Sequence, residues 1–394
     1  MTDFFYLFLV ILLLIAAFLG EDFTLTLVYL LLGALAAGRW WSRRALRAVS
    51  VRRAFTPRAF LGETVKVRLE LANRGWLPLP WLHLRESLPA GMAHPPLYSR
   101  VLSLGAQAGA VLDYELLARK RGLYPVGPLN LTSGDLLGMA APIRLAADAG
   151  SLVVFPKIIP LTRLPLVSRS PVGTLPHRQP LFEDPARPRG KREYTAGDSQ
   201  RKVDWKATAA TGRLQVKQFE PSIALEAALF LNLNGEEYDY RTRIDVTELA
   251  IVVAASMAYW VISRRQSVGL ATNGTDSLNG ETPPPMQPGR GRAHLMRLLE
   301  LLARIQAGAG PPFAAFLSRE RVHFSWGTTL LVITGQVDRP LFDGLFAARR
   351  AGLDAMLVAV GRGSVSEEDR RRAKTFGFPL ALIQSERDLD QWRV

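Results

Sequence analysis

The sequence has 394 residues, which is too long for one ordinary domain and predicts two soluble domains plus an anchor. Its apolar fraction of 48% excludes wholesale disorder, and its formal net charge of +14 favours anionic partners such as lipid headgroups, nucleic acid or acidic proteins. There are no cysteines, so disulfides, thiolate metal sites and cysteine nucleophiles are excluded.

Two apolar runs, residues 4–20 and 23–38, begin the chain and are separated only by Glu21 and Asp22. Each is slightly short of the roughly 20 residues that cross a bilayer, a deficit that local thinning covers. None of the first three residues is basic, whereas a signal peptide carries positive charge before its apolar run. The pattern predicts a transmembrane helical hairpin over residues 1–40.

A group of arginines without any acidic residue among them follows the second apolar run. They are Arg39, Arg43, Arg44, Arg47, Arg52 and Arg53. By the positive-inside rule this flank is cytoplasmic. We therefore expect a bacterial inner-membrane protein whose soluble domains lie in the cytoplasm and whose arginines contact the lipid bilayer.

Short alternating strands separated by Gly- and Pro-rich turns fill residues 49–156 and predict a β-sandwich domain. The clearest strand is 63–75, in which Val65, Val67, Leu69 and Leu71 point to one side. The other candidate strands are 81–86, 111–118, 124–132 and 151–156. The next stretch, 157–192, is rich in Pro and Arg and is predicted to be a linker.

Apolar strands alternate with helices over residues 223–394, which predicts a doubly wound, Rossmann-like α/β domain. The predicted strands are 224–234, 267–274, 328–335, 354–361 and 380–383. The predicted helices are 245–265, 292–306, 340–352 and 366–377. Residues 281–292 read as an exposed loop, and the helix over 245–265 reads as a core helix. Ligands in such sheets bind beyond the carboxyl ends of strands, which directs attention to the loop after residue 231.

A segment dense in charged and aromatic residues, 193–222, lies between the linker and the α/β domain. Asp198 is a plausible N-cap for a short helix through about Ala210, and Gly212 fits just beyond the helix end. The opposite charges favour an ion-pair latch with aromatic cover. The residues that we single out are Arg192, Tyr194, Gly197, Asp198, Arg201, Asp204, Trp205 and Lys206.

This segment, REYTAGDSQRKVDWKATA followed by GRLQVKQFE, resembles the hallmark of the domain-of-unknown-function 58 family. The resemblance extends over most of the chain: anchor, β domain, hallmark and a sheet similar to a von Willebrand factor A domain. Ala210 departs from the family, which often has an arginine there. The resemblance implies a partnership with a MoxR-type AAA+ ATPase or with envelope systems, and it implies no known reaction. The hallmark residues serve either as a structural latch or as a partner-docking surface.

A von Willebrand A-like sheet often holds a divalent ion on an Asp and two hydroxyl side chains after its first strand. At that place this chain has Asn232, Asn234 and Glu236, and after a later strand it has Thr334 and Gly335. An amide lacks the charge that offsets dehydration of a hard cation. We therefore predict a degenerate ion site that holds no metal.

The residues contain no Ser elbow, phosphate loop or metal-ligand spacing of histidines, so we predict a non-enzymatic protein without a cofactor. The expected function is an adaptor or scaffold for protein–protein interaction on the cytoplasmic face of the membrane. The alternatives are a metal-dependent ligand-binding module and, third, an envelope-related enzyme. Nucleic-acid binding rests on charge alone, and we predict that it is absent.

Overall fold

In the computed structural model of the chain, the residues described are 7, 10–15, 18, 22–93, 96–134, 143–162, 164, 183–196, 198–221 and 226–392. Contacts between residues divide the chain into two units. The first consists of Met1–Lys157 together with Leu299–Ile305, and the second of Ile158–Leu298 together with Gln306–Val394.

The N-terminal region is helical where it is described. Residues 10–15 are helical, and the helix α1 runs through the second apolar run and its arginines, Asp22–Arg47. The predicted turn between the two apolar runs consists of Glu21 and Asp22. Glu21 lies outside the described residues, and Asp22 is the first residue of α1. Two helices in the described part are long and apolar enough to cross a membrane, but they differ in burial. The most apolar window is 6% buried in Phe23–Arg47 and 78% buried in Arg243–Ser263, so the second is a core helix, as predicted.

The rest of the first unit is built from strands. They are β1 (Val49–Ala54), β2 (Arg58–Phe60), β3 (Thr64–Asn73), β4 (Leu79–Ser87), β5 (Leu97–Leu104), β6 (Gly109–Leu117), β7 (Gly122–Val126), β8 (Leu129–Ser133), β9 (Ile143–Ala147) and β10 (Gly150–Phe155). They form three sheets, ordered β1-β3-β6, β2-β10-β7 and β5-β4-β8-β9. The predicted strand 124–132 is two strands, since Gly127 and Pro128 interrupt it and a proline cannot donate to the ladder.

Alternating burial along β3 confirms the predicted inward face, because Val65, Val67, Leu69 and Leu71 are all buried. Leu69 and Leu71 share one apolar cluster with β4 and β8, and the same cluster includes Ala45 and Leu46 from the end of α1. Val65 and Val67 contribute to a second cluster with β7 and β10. The end of α1 is therefore part of the core of the β-sheet unit.

From residue 183 onward strands and helices alternate. The strands are β11 (Glu183–Glu193), β12 (Gln215–Pro221), β13 (Glu226–Leu231), β14 (Ser267–Thr272), β15 (Thr275–Asp276), β16 (Met286–Gly289), β17 (Ile305–Gln306), β18 (Thr329–Thr334), β19 (Asp354–Val360) and β20 (Leu380–Ile383). The helices are α2 (Trp205–Thr211), α3 (Arg243–Ser263), α4 (Gly291–Arg304), α5 (Phe313–Glu320), α6 (Arg339–Arg350) and α7 (Glu367–Phe376). β11 falls at the end of the stretch 157–192, which was predicted to be a linker. β16 forms within residues 281–292, so the prediction of an exposed loop there is wrong for β16.

Six of these strands form one sheet, ordered β16-β14-β13-β18-β19-β20, in which only β16 is antiparallel to its neighbour. The central strand β13 pairs in register with both neighbours, so that Leu229 faces Leu270 and Leu331. One apolar cluster joins the sheet to α5, α6 and α7, and α3 contacts the four central parallel strands. The arrangement places the carboxyl ends of β13, β14 and β18 side by side.

Candidate functional site

The hallmark segment folds into an antiparallel hairpin, which we call the hallmark hairpin (residues 183–221). β11 and β12 pair along their length, and the Tyr194 amide donates to the Leu214 carbonyl oxygen at 2.8 Å where the strands meet the connection. The connection contains α2. Val203 and Val216 are buried beneath it, so the hairpin has a small apolar centre of its own.

One carboxylate organises the turn after β11. Asp198 receives both Arg192 Nη atoms, at 2.7 and 2.6 Å, in a bidentate pair. The backbone amide and hydroxyl of Thr195 also donate to Asp198 Oδ2, at 2.9 and 3.0 Å. The Arg192 guanidinium and then the Thr195 amide hold the pKa of Asp198 below its ordinary value. Asp198 is therefore an ionised pairing residue, which makes it a poor proton donor near neutral pH.

The N-cap of the short helix is Asp204, so the prediction that Asp198 caps it is wrong. Asp204 Oδ1 accepts from the Ala207 amide at 3.1 Å, and α2 begins at the next residue. Its other carboxylate oxygen lies 3.0 Å from Lys191 Nζ, and this contact, followed by the Ala207 amide, lowers the pKa of Asp204. Gly212 ends the helix at φ 68°, as predicted.

The two aspartates of the hallmark segment pair with different basic residues. Arg192 meets Asp198, whereas Asp204 meets Lys191, a residue that the sequence analysis did not single out. Arg201 and Lys206 are exposed. Lys191 precedes Arg192 on β11, and neighbouring side chains on a strand point to opposite faces. This alternation could have predicted that Lys191 and Arg192 pair with different carboxylates.

The two hallmark aromatics behave differently. Tyr194 is half-buried, whereas the Trp205 side chain is 70% exposed at the first position of α2. The aromatic cover of the ion pairs stays a prediction. Gly197 lies outside the described residues. The hairpin thus presents an exposed indole, and the basic residues Arg201 and Lys206 of the same connection are also exposed.

The second predicted place, the carboxyl end of β13, is filled by hydrogen bonds. Asn232 is completely buried, and its Nδ2 donates to Glu237 Oε2 at 2.7 Å and Thr334 Oγ1 at 3.0 Å. Its Oδ1 accepts from the Asn234 amide at 3.0 Å and from Asn273 Nδ2 at 3.1 Å. Both donors and both lone pairs of this amide are therefore engaged.

The acidic residue that contacts this network is Glu237, not Glu236. Glu237 Oε1 accepts from the Phe313 amide at 2.8 Å, at the first residue of α5, and from Asn234 Nδ2 at 3.4 Å. The Glu236 side chain is exposed, while its amide donates to Asn234 Oδ1. The chain turns through the short 3₁₀ segment Gly235–Glu237, which carries the second glutamate inward. We call Asn232, Asn273, Glu237 and Thr334 the amide network.

Tyr238 closes the same edge from the other side. Its buried hydroxyl donates to the Asn232 carbonyl oxygen at 2.6 Å, and burial raises its pKa above the ordinary value. Its ring lies so close to Gly335 that a Cβ at that residue would be 2.2 Å from the ring. A side chain at residue 335 would therefore overlap the Tyr238 ring, which favours glycine at this position.

The arrangement has clear chemical consequences for ion binding. An ion at Asn232 Oδ1 would have to displace two N–H donors, and one at Glu237 would have to uncap α5. Among the described residues, no three or more His, Asp or Glu side chains are grouped so as to hold a metal ion.

Taken by class, the molecule is a two-unit chain with an apolar N-terminal helix, a β-sheet unit and an α/β unit that carries an ion-paired hairpin. Residues 190–342 match the family model described as "Protein of unknown function DUF58". This match confirms the resemblance predicted from the hallmark residues.

The chain is also similar to the "Uncharacterized protein YeaD" of Bacillus subtilis (strain 168). The two are 23% identical over 265 residues, which is 66% of this chain and 62% of YeaD. Less than two thirds of the relative is thus spanned by the match.

Parts of solved structures are also similar. The CARDB domain of the PF1109 protein from Pyrococcus furiosus matches 27% of this chain and 91% of its own length, with 16% identity and a TM-score of 0.21. The C-terminal domain of Wzt matches 28% of this chain and 75% of its own length, with 9% identity and a TM-score of 0.20. These low scores reveal nothing about activity.

Proposed function

We propose that this protein is a non-enzymatic, membrane-anchored adaptor or scaffold that binds a protein partner through the hallmark hairpin. The expected partner is a MoxR-type AAA+ ATPase, and the expected setting is an envelope-related process at the cytoplasmic face of the inner membrane. In this proposal the protein acts by binding partners at its surface, and it catalyses no reaction and needs no cofactor.

The observation that carries the proposal is Trp205. Its indole is 70% exposed, although the segment around it is held by the Arg192–Asp198 and Lys191–Asp204 pairs. Tryptophan and arginine are enriched among the residues that contribute most to binding, and a preformed surface loses little entropy on association. An exposed indole on a hairpin whose connection also exposes Arg201 and Lys206 therefore suits an acidic protein surface.

The proposed folds of the two units are a β-sandwich and a von Willebrand A-like domain. Two sheets of the first unit share an apolar cluster across their faces, which supports a β-sandwich. The order of the six-stranded sheet, with an antiparallel edge and helices on both faces, supports a von Willebrand A-like domain. In that assignment the amide network stands where related domains hold an ion.

Anchoring is assigned to the N-terminal region. The most apolar window of α1 is 6% buried, and a helix that is apolar all round and uncovered by protein suits lipid. The arginines at its end and beyond assign that end to the cytoplasmic face. The proposal thus orients the soluble units toward the cytoplasm.

The alternative of a metal-dependent module finds little support at the amide network, because the carboxylate there already accepts three hydrogen bonds. The enzyme alternative would need a group poised for acid–base work. The hallmark carboxylates do not suit this role, because the pKa values of Asp198 and Asp204 are both lowered by ion pairing.

The test is affinity capture of the tagged full chain from native membranes, followed by identification of co-purified proteins. We expect an AAA+ ATPase with the wild type, and at least a tenfold loss with Trp205→Ala. The matched control is Trp326→Ala, since Trp326 is a 77% exposed indole in the same unit. Equal capture by both variants would contradict the assignment of the hairpin, and capture without any ATPase would contradict the assignment of the partner.

A further inference from the structure

A groove of about 400 Å³ lies at the end of α1, within the first unit. Two arginines of the last helical turn, Arg44 and Arg47, line one side. Arg74 and Trp76, from the turn between β3 and β4, line the other side, and Gln107 completes it. All five of these residues are exposed. The groove therefore joins the membrane-proximal helix to a loop that is distant in sequence.

We propose that this groove binds the phosphate headgroup of an anionic phospholipid. Its lining contains three guanidinium groups and no carboxylate. Within the described ranges, the side chains of Arg44, Arg47 and Arg74 take part in no hydrogen bond or ion pair. Arginine donates in a planar fork that matches phosphate oxygens, so three unpaired guanidiniums around one groove suit a phosphate.

The groove is built into the fold and does not depend on a loose helix end. Ala45 and Leu46 are buried in the same cluster as Leu77 and Leu79. The backbone adds to this, since the Arg74 amide donates to the Ala48 carbonyl oxygen at 3.0 Å. The helix end and the loop are thus fixed against each other before any ligand binds.

Two further contacts set the shape of the loop that carries Arg74. The Trp41 indole donates to the Pro78 carbonyl oxygen at 2.9 Å, across the same junction. The buried Asn73 side chain accepts from the Gly75 amide and donates to the Leu77 and Gly105 carbonyl oxygens. A larger residue does not fit at position 75, because a Cβ there would be 2.8 Å from the Ala48 Cβ.

The position of the groove along the helix matches the depth of lipid headgroups. The exposed Trp40 and Trp41 suit the membrane interface. At 1.5 Å per residue, Arg44 lies about 6 Å beyond Trp40 along the helix, which is comparable to the roughly 5–7 Å thickness of a headgroup layer, and Arg47 lies about one turn farther out. The apolar run before them is short for a bilayer, which draws this end toward the surface.

The dipole of α1 opposes the binding of phosphate, and its charge can be compared with that of the three arginines. A helix C-terminus carries about half a negative charge, which repels an anion. The three arginines supply three full positive charges at the same place, so attraction wins by a wide margin. A lipid is favoured over a free anion because the groove continues from a helix whose apolar residues are uncovered.

This inference rests on the membrane-anchoring part of the proposed function and not on the ATPase partner. The purified full chain is mixed with phosphatidylglycerol or phosphatidylcholine in detergent, and the bound lipid is measured by native mass spectrometry. Each arginine near a membrane surface contributes about fivefold in affinity for anionic lipid. We expect preferential retention of phosphatidylglycerol, a loss of about fivefold with Arg74→Gln, and about a hundredfold with Arg44→Gln, Arg47→Gln and Arg74→Gln combined.

The matched control is Arg100→Gln, which removes one exposed charge from β5, outside the groove, and should change retention by less than twofold. Arg74→Lys should recover part of the affinity lost in Arg74→Gln, which a folding defect would not allow. Equal retention by Arg74→Gln and Arg100→Gln would overturn the inference, and so would displacement of the lipid by millimolar inorganic phosphate. If the wild-type chain failed to co-sediment with membranes, that result would instead contradict the anchoring proposal.

Discussion

The hallmark hairpin and the amide network are both rich in polar side chains, yet the structure uses them in opposite ways. At the carboxyl end of β13, Asn232 is fully buried and every hydrogen-bonding atom of its amide is engaged. On the hairpin, ion pairs fix the backbone while Trp205 stays 70% exposed. The comparison teaches that burial and hydrogen-bond saturation, more than residue type, separate a closed structural network from an available surface.

The largest effect is expected when the amide network is given a second charge. Asn232→Asp places two carboxylates about 2.7 Å apart and deprives the oxygens of Glu237 and Thr334 of the donor that they accept from. We expect a loss of about 3 kcal/mol in the free energy of unfolding at pH 7. The loss should shrink as the pH falls, because protonation of one carboxyl relieves the repulsion.

Thermal unfolding of the full chain in detergent measures this effect, and Asn130→Asp, a half-exposed amide in the β-sheet unit, is the control. Magnesium calorimetry on the wild type sharpens the comparison. We expect no heat of binding at millimolar magnesium, and a measurable binding isotherm would break the account of a closed edge.

A smaller loss is expected from Gly335→Ala. The new Cβ would overlap the Tyr238 ring at 2.2 Å, and such overpacking typically costs about 1–3 kcal/mol. Gly235→Ala is the control, because its Cβ would meet only the Gly308 carbonyl oxygen at 3.7 Å. Combining Gly335→Ala with Tyr238→Leu should recover part of the stability. Additive effects in that double variant would show that the ring does not exclude a side chain.

The smallest effect on the whole molecule is expected at the hallmark hairpin. The lowered pKa of Asp198 means that its pairing is intact above the ordinary carboxyl pKa of 3.8 and is lost as pH falls further through the folded-state value. The protection of the Thr195 amide against hydrogen exchange, relative to an unstructured peptide at the same pH, should therefore be present at neutral pH and fall in that acid window. Asp198→Asn should reduce this protection at every pH, whereas Glu236→Gln should match the wild type. A loss of wild-type protection already near neutral pH would contradict the assigned pair.

Much of the α/β unit could be predicted from the sequence because its elements are long and strongly patterned. β13, β18, β19 and α7 were located within two or three residues. Elements without a strong period were missed. β5 has mostly exposed residues and no clean alternation, and α5 is only eight residues long after two prolines.

The sites were predictable in outline but not in their contacts. The sequence directed attention to the correct loop, yet it indicated Glu236 where the 3₁₀ turn brings Glu237 inward. Asn273 joins the network from β14, about forty residues away, and only the pairing of β13 with β14 makes them neighbours. On the hairpin, the partner of Asp204 was missed because Lys191 lies on β11, and only the folding of the connection brings the N-cap of α2 to it.

The most direct test of the account is site-specific photocrosslinking in native membranes, with a photoreactive amino acid in place of Trp205 or, in a second strain, of Trp326. The account predicts a crosslinked product with an AAA+ ATPase from position 205 and at most a trace from position 326. A product of equal yield from both positions, or one from position 326 alone, would contradict the claim that the hallmark hairpin is the docking surface.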